Sequence, residues 1–136
     1  MRKLIQNIQL LNEQQELIAV SILIEQGRII EINPKTTTDI DETIDGKGHF
    51  VSAGFIDVHV HLREPGGEQK ETIETGTAAA AKGGYTTICA MPNTRPVPDT
   101  VENLTKVNEL IKNNAKIRVL PYASITIREA GKERTD

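Results

Sequence analysis

The sequence predicts an α/β protein: a small antiparallel β-sheet followed by a βαβαβ run. Three observations carry this. The first fifty residues are rich in β-branched and aliphatic residues broken by turn signals. The composition changes at Ser52-Ala53-Gly54, after which strand-like and helix-like segments alternate. Both helix-like segments end or begin at recognisable caps. Alternation of this kind implies a parallel sheet with right-handed crossovers. The 136 residues can bury a core but cannot close a complete (β/α)₈ barrel, which takes roughly 200 residues or more.

The elements follow in order. Residues 14–25 form a long extended candidate with Ile18, Val20, Ile22 and Ile24 on one parity. Gln26-Gly27 reads as a tight hairpin turn, with Gly27 supplying positive φ. Residues 34–42 are polar and Thr/Asp-rich, hence a loop, and 44–48 read as another turn before His49-Phe50-Val51. Residues 55–62 form a strand. Residues 68–82 are helix-like and Ala-rich, ending at Gly83-Gly84. Residues 85–91 form the next strand. Asp99 and Glu102 read as N-cap and N3 of a second helix, whose Val101, Leu104, Val107 and Ile111 keep helical spacing to about residue 114. Residues 117–125 form a third strand, and 128–136 read as the start of a further helix.

Composition excludes several function classes. The net charge is −3 and mixed along the chain, so no nucleic-acid footprint is present. No apolar stretch approaches the ~20 residues of a membrane span, and the polar N-terminus does not read as a signal peptide. The one cysteine, Cys89, excludes an internal disulfide and reads as a buried small hydrophobe in a reducing compartment. The expected location is the cytoplasm. Aromatic residues are 3% of the chain, so the core is expected to be aliphatic.

The chemistry concentrates in 54–66, GFIDVHVHLREPG. Strand alternation puts Phe55, Asp57, His59, His61 and Arg63 on one face and Ile56, Val58, Val60 and Leu62 on an aliphatic face expected to be covered by helices. Two imidazoles two residues apart have Cβ atoms roughly 6–7 Å apart, close enough to converge on one metal ion. Alone, a His-x-His pair more often marks two exposed side chains. Here the strand enters a βα loop, where α/β proteins place ligands. Asp57 is a candidate acceptor that orients a ring, and Arg63 adds a cation, which points to an anionic substrate. A second segment, 90–96, AMPNTRP, ends the neighbouring strand. Asn93 is then placed beside Arg63 to donate to the same carboxylate; the competing reading is a proline-stiffened loop with Asn93 capping a turn. His49 reads as an ordinary strand residue, Gly66-Gly67 as loop-shaping, and Lys70 and Glu71 as a solvated helix face.

Asp57-x-His59-x-His61 after Gly54-Phe55-Ile56 resembles the first-strand signature of the amidohydrolase superfamily. The run from His61 through Pro96 is similar to dihydroorotases of the long bacterial type, and the similarity spans roughly residues 44–135. The resemblance implies a TIM-barrel hydrolase: residues 1–52 a small β-sandwich-type domain, residues 53–136 the first three barrel strands. It implies His59 and His61 as ligands of one or two Zn²⁺ ions, Arg63 and Asn93 as binders of a substrate carboxylate, and His61 also near substrate. The implied substrate is the small molecule N-carbamoyl-L-aspartate, closed reversibly to dihydroorotate and water in pyrimidine synthesis. A homodimer and association with other enzymes of that pathway are implied too. Related cyclic amidohydrolases, of the allantoinase or dihydropyrimidinase/hydantoinase type, differ at the Arg63 position; a non-catalytic amidohydrolase-like scaffold is the rival of another class. Ala53 departs from the proline usual before this motif, which bears on strand entry alone. The remaining metal ligands and the acid/base aspartate are expected beyond Asp136, so the sequence reads as the N-terminal third of a longer enzyme. Val58 and Val119 are then expected to be exposed.

Overall fold

The computed structural model describes residues 1–135, in two compact units, Met1–Ala53 and Gly54–Asp136. The first unit holds strands β1 (Arg2–Leu11), β2 (Leu17–Glu25), β3 (Arg28–Ile32) and β4 (Glu42–Phe50), ordered β3-β2-β1-β4. The hairpin between β2 and β3 turns at Gln26 and Gly27, both at positive φ, as the sequence indicates. The sheet is not purely antiparallel, however: β1 and β4 run parallel. β1 itself carries no clean alternation, because the pairing with β2 slips between Ile5 and Ile8 and shifts which face each side chain meets. The expected turn at 44–48 is an irregularity inside β4, with Lys47 and Gly48 at positive φ opposite that slip. Gly46 is required there, since a Cβ would lie 2.1 Å from Ile8 Cγ2. Ile8, Val20 and Ile22 form the buried core of this unit.

The second unit contains β5 (Phe55–Val60), α1 (Ile73–Lys82), β6 (Tyr85–Ala90), α2 (Val101–Asn114) and β7 (Arg118–Pro121). Its sheet is ordered β5-β6-β7 with both pairings parallel. This is the expected βαβαβ unit. Its core is aliphatic: Leu62, Ile73, Ile88, Ala90 and Val119, joined by Val60 and Ile111. Burying each large member contributes about 1.5–3 kcal/mol.

Four boundaries differ from expectation. α1 starts at Ile73, because Thr72 is its N-cap and forms a capping box with Thr75; residues 68–70 are a turn. α2 is capped by Thr100, whose Oγ1 accepts from Asn103 N at 3.2 Å. Asp99 instead accepts from Asn103 Nδ2 and from the Arg128 backbone N–H. Those contacts hold its carboxyl below the ordinary value, the Arg128 bond foremost. β7 is short, and the helix expected at 128–136 is a single 3₁₀ turn, Ile127–Glu129, flanked by a bridge between Thr126 and Arg134; Asp136 lies outside the described residues. Val58 is 62% exposed, as expected, but Val119 is buried in the core, on the side that α1 and α2 cover.

Candidate active site

The site is built where β5 and β6 end. β5 and β6 keep register from Ile56 to Asp57, and pairing resumes at Val60 opposite Ala90, so Val58 and His59 together stand opposite the single Cys89. This bulge breaks the strict alternation on which a common face for Asp57, His59 and His61 rests. Asp57 accordingly meets its own chain: Oδ1 accepts from the His59 backbone N–H at 2.9 Å, rather than from an imidazole as expected. The aliphatic face is packed only toward its end, where Leu62 is buried; Ile56 and Val58 are exposed.

The two imidazoles do come together. Their ring centroids are 5.2 Å apart, edge to face. His61 Nδ1 lies 2.8 Å from Asn93 Oδ1. An amide oxygen only accepts, so Nδ1–H donates, and in the neutral tautomer that this bond selects Nε2 carries the lone pair. That is the arrangement a metal-binding histidine needs, with its second nitrogen fixed by a partner. Two imidazoles are half of a tetrahedral shell. Among the described residues no cluster of three or more His, Cys, Asp or Glu is present. His59 also borders an open cleft of about 500 Å³ with Val58, Met91, Tyr122 and Ile125, which gives this imidazole a largely apolar flank.

Asn93 links this pair to a second, polar cleft of about 290 Å³, lined by Arg63, Asn93, Lys70 and Arg95 with Gly66 and Gly67. Arg63 sits past the end of β5 at φ 64°, so its position is set by the loop rather than by strand parity. The two loops are tied by Arg95 N–H donating to Pro65 O at 2.8 Å. Gly66 and Gly67 make the approach possible: a Cβ would lie 2.6 Å from Arg95 Cβ at the first and 2.8 Å from Arg63 O at the second. The loop of 91–98 is therefore more than a stiffened connection, and Asn93 caps no turn. Lys70 and Arg95 are the lining residues that sequence reasoning missed. Lys70 was read onto a helix face; the signal for the loop was Thr72, a capping residue three positions before Thr75.

Two strand-end histidines and a cationic loop on a βαβαβ frame form the arrangement that the resemblance to amidohydrolases leads one to expect. The dihydro-orotase-like family model matches residues 48–136. A dihydroorotase from Macrococcus caseolyticus (strain JCSC5402) is 60% identical over 121 residues, covering 89% of this chain and 28% of that protein. A dihydroorotase from Bacillus thuringiensis (strain Al Hakam) is 53% identical over all 136 residues, which are 32% of its length. Among solved structures, an L-hydantoinase (dihydropyrimidinase) from Arthrobacter aurescens superposes with TM-score 0.80 at 25% identity, covering 91% of this chain and 28% of that one. A D-hydantoinase superposes at 0.77 with 30% identity, covering 93% and 28%. The chain belongs to the dihydro-orotase-like family. It spans about a third of the length of these curated relatives.

Proposed function

We propose that this chain forms part of a dihydroorotase, which closes N-carbamoyl-L-aspartate reversibly to dihydroorotate in pyrimidine synthesis. In the closing direction the ureido nitrogen bonds to the side-chain carboxyl carbon, and one carboxyl oxygen leaves as water. The observation that carries the reading is the His61–Asn93 hydrogen bond, which couples an imidazole pair to a cleft holding Arg63. Carboxylate recognition beside a metal-binding pair is what this substrate requires. Identity supports the same choice: 53–60% to dihydroorotases, against 25–30% to the hydantoinases.

His59 and His61 would hold zinc, one ion or two, through their unprotonated ring nitrogens; Asp57 supports them by bonding the His59 backbone. A bound zinc ion supplies a polarised carbonyl and a water acidified to a pKa of about 7. Arg63 binds the substrate carboxylate through two parallel N–H donors. Asn93 keeps two Nδ2 protons that its bond to His61 does not use, and these donate to the same carboxylate. Fixing that end of the ring orients the amide carbonyl toward the imidazole pair and removes several kcal/mol of entropic barrier. An aspartate outside residues 1–136 moves the proton. In this reading residues 53–136 are the first three strands of a TIM barrel, and residues 1–52 belong to a small β-sandwich-type domain. The enzyme is a cytoplasmic homodimer that associates with other enzymes of its pathway.

The test is a substrate panel on the complete protein that carries this segment. Dihydroorotate is expected to be hydrolysed, and hydantoin, dihydrouracil and allantoin are not. Arg63→Met is expected to lower kcat/KM for dihydroorotate by about 2–4 kcal/mol, the loss of a charge-assisted bidentate contact, with zinc content unchanged. Preference for an uncharged ring, or wild-type kcat/KM in the variant, overturns the assignment. A non-catalytic scaffold would show neither turnover nor bound metal.

A further inference from the structure

The cleft beside Asn93 is lined by three cations, Arg63, Lys70 and Arg95, and by no acid. One arginine suffices to clamp one carboxylate, so the other two cations need an account. They do not serve as structural ion pairs: among the described residues none of the three is paired with a carboxylate. The acids of the same loop are bonded to donors other than these cations. Glu64 Oε2 accepts from the Ile73 N–H at 2.7 Å. Glu68 Oε1 accepts from the Gly66 N–H at 2.7 Å, and Glu71 accepts from Thr75 Oγ1. Each of these carboxylates keeps its charge but is held by a backbone or hydroxyl donor rather than by Arg63, Lys70 or Arg95, so the side chains that line the cleft itself carry charge of one sign. The space is kept open by Gly66 and Gly67, where a side chain would collide with Arg95 and Arg63.

We infer that Lys70 and Arg95 are specificity-determining residues that draw a carboxylate-bearing substrate into the cleft and hand it to Arg63 and Asn93. The inference rests on the dihydroorotase reading above and adds a role for two residues that the reading does not use. Both side chains are exposed, so they act through a field in water rather than through a buried contact. A cleft lined by one sign of charge raises the local concentration and the capture rate of an oppositely charged ligand by 10-fold or more, and salt abolishes this. An uncharged ring gains nothing from the same field.

The experiment uses the complete protein, with kcat/KM for dihydroorotate measured from about 0.02 M to about 0.5 M salt, a range over which the screening length falls from about 20 Å to about 4 Å. The double variant Lys70→Gln/Arg95→Gln is expected to lose about 10-fold at low salt and less than about 3-fold at high salt, the loss falling on KM. Lys70→Arg with Arg95→Lys should restore the parent's salt dependence. Lys70→Glu should reverse its sign, so that added salt speeds the reaction. Circular dichroism and zinc content check that every variant is folded and loaded. A loss of equal size at both salt concentrations, or a salt dependence identical to the parent's, overturns the inference while leaving the dihydroorotase reading intact. A parent that does not turn over dihydroorotate overturns both.

Discussion

At the scale of single residues, the informative feature is the chain of contacts from His59 through His61 to Asn93. The 5.2 Å separation of the rings and the 2.8 Å bond from Nδ1 to Asn93 Oδ1 fix one imidazole and place the other beside it. His59→Ala and His61→Ala are each expected to lower zinc occupancy and abolish turnover in the complete protein, because each removes a side chain proposed above as a zinc ligand. Secondary structure should survive, since the packing of this strand end rests on Leu62, which neither change touches. Metal analysis with circular dichroism checks both halves; full zinc retention in both variants would show that the metal lies elsewhere. The residue types of this site were legible in the sequence, because few side chains bind metal or carboxylate and their spacing is short. Asn93 was expected either to serve the carboxylate or to cap a turn. Its bond to His61 was not legible, because it depends on how two loops 32 residues apart meet. Lys70 was hidden for a related reason: a charged residue in an Ala-rich, helix-like stretch reads as solvated unless the helix start is known.

At the scale of elements, the second unit is joined by one buried hydroxyl. Thr77 on α1 is fully buried. Its Oγ1 donates to Ile73 O and accepts from the Lys116 backbone N–H at 3.0 Å, 39 residues away, just before β7. Thr77→Val keeps the shape but leaves the Lys116 N–H without its partner, at a cost of about 1–3 kcal/mol. Thr77→Ser keeps the bond and should cost less than Thr77→Val. Chemical denaturation of the complete protein compares the two; equal stability of Thr77→Val and the parent would show that the Lys116 amide finds another acceptor. Elements were read correctly where local chemistry decides them. The hairpin at Gly27, the end of α1 at Gly83-Gly84 and the apolar repeat of α2 are all local. They were misread where a neighbour decides. Asp99 and Thr100 can each cap α2, and the Arg128 amide takes Asp99. The bulge in β5 exists only in its pairing with β6, and the parallel pairing of β1 with β4 joins segments about 40 residues apart.

At the scale of the molecule, the sheet β5-β6-β7 has two open edges, β5 and β7. An uncovered strand edge is a template for pairing with another chain. Around β5 the exposure is also apolar: Phe55 is 57% exposed, Ile56 64% and Val58 62%. Ile125, beyond β7, is 79% exposed. In the first unit Ile29, Ile30 and Ile32 of β3, itself an edge strand, are exposed as well. Apolar surface of this extent is rare on a soluble monomer and marks either an interface or a tendency to aggregate. The chemistry is equally partial: two imidazoles are half of a tetrahedral shell, and among the described residues no cluster of three or more His, Cys, Asp or Glu is present. Residues 1–136 expressed alone are therefore expected to be catalytically silent, to bind zinc weakly and to self-associate through these edges. Size-exclusion chromatography, zinc titration and a dihydroorotate assay on the purified segment check the three parts. In the complete protein the same residues are expected not to self-associate through these edges, the outcome that pairing of β5 and β7 within the proposed barrel would produce. A segment that is monomeric, holds one zinc tightly and turns over dihydroorotate would mean that the exposed strands are stable in water and that the site is complete without further chain.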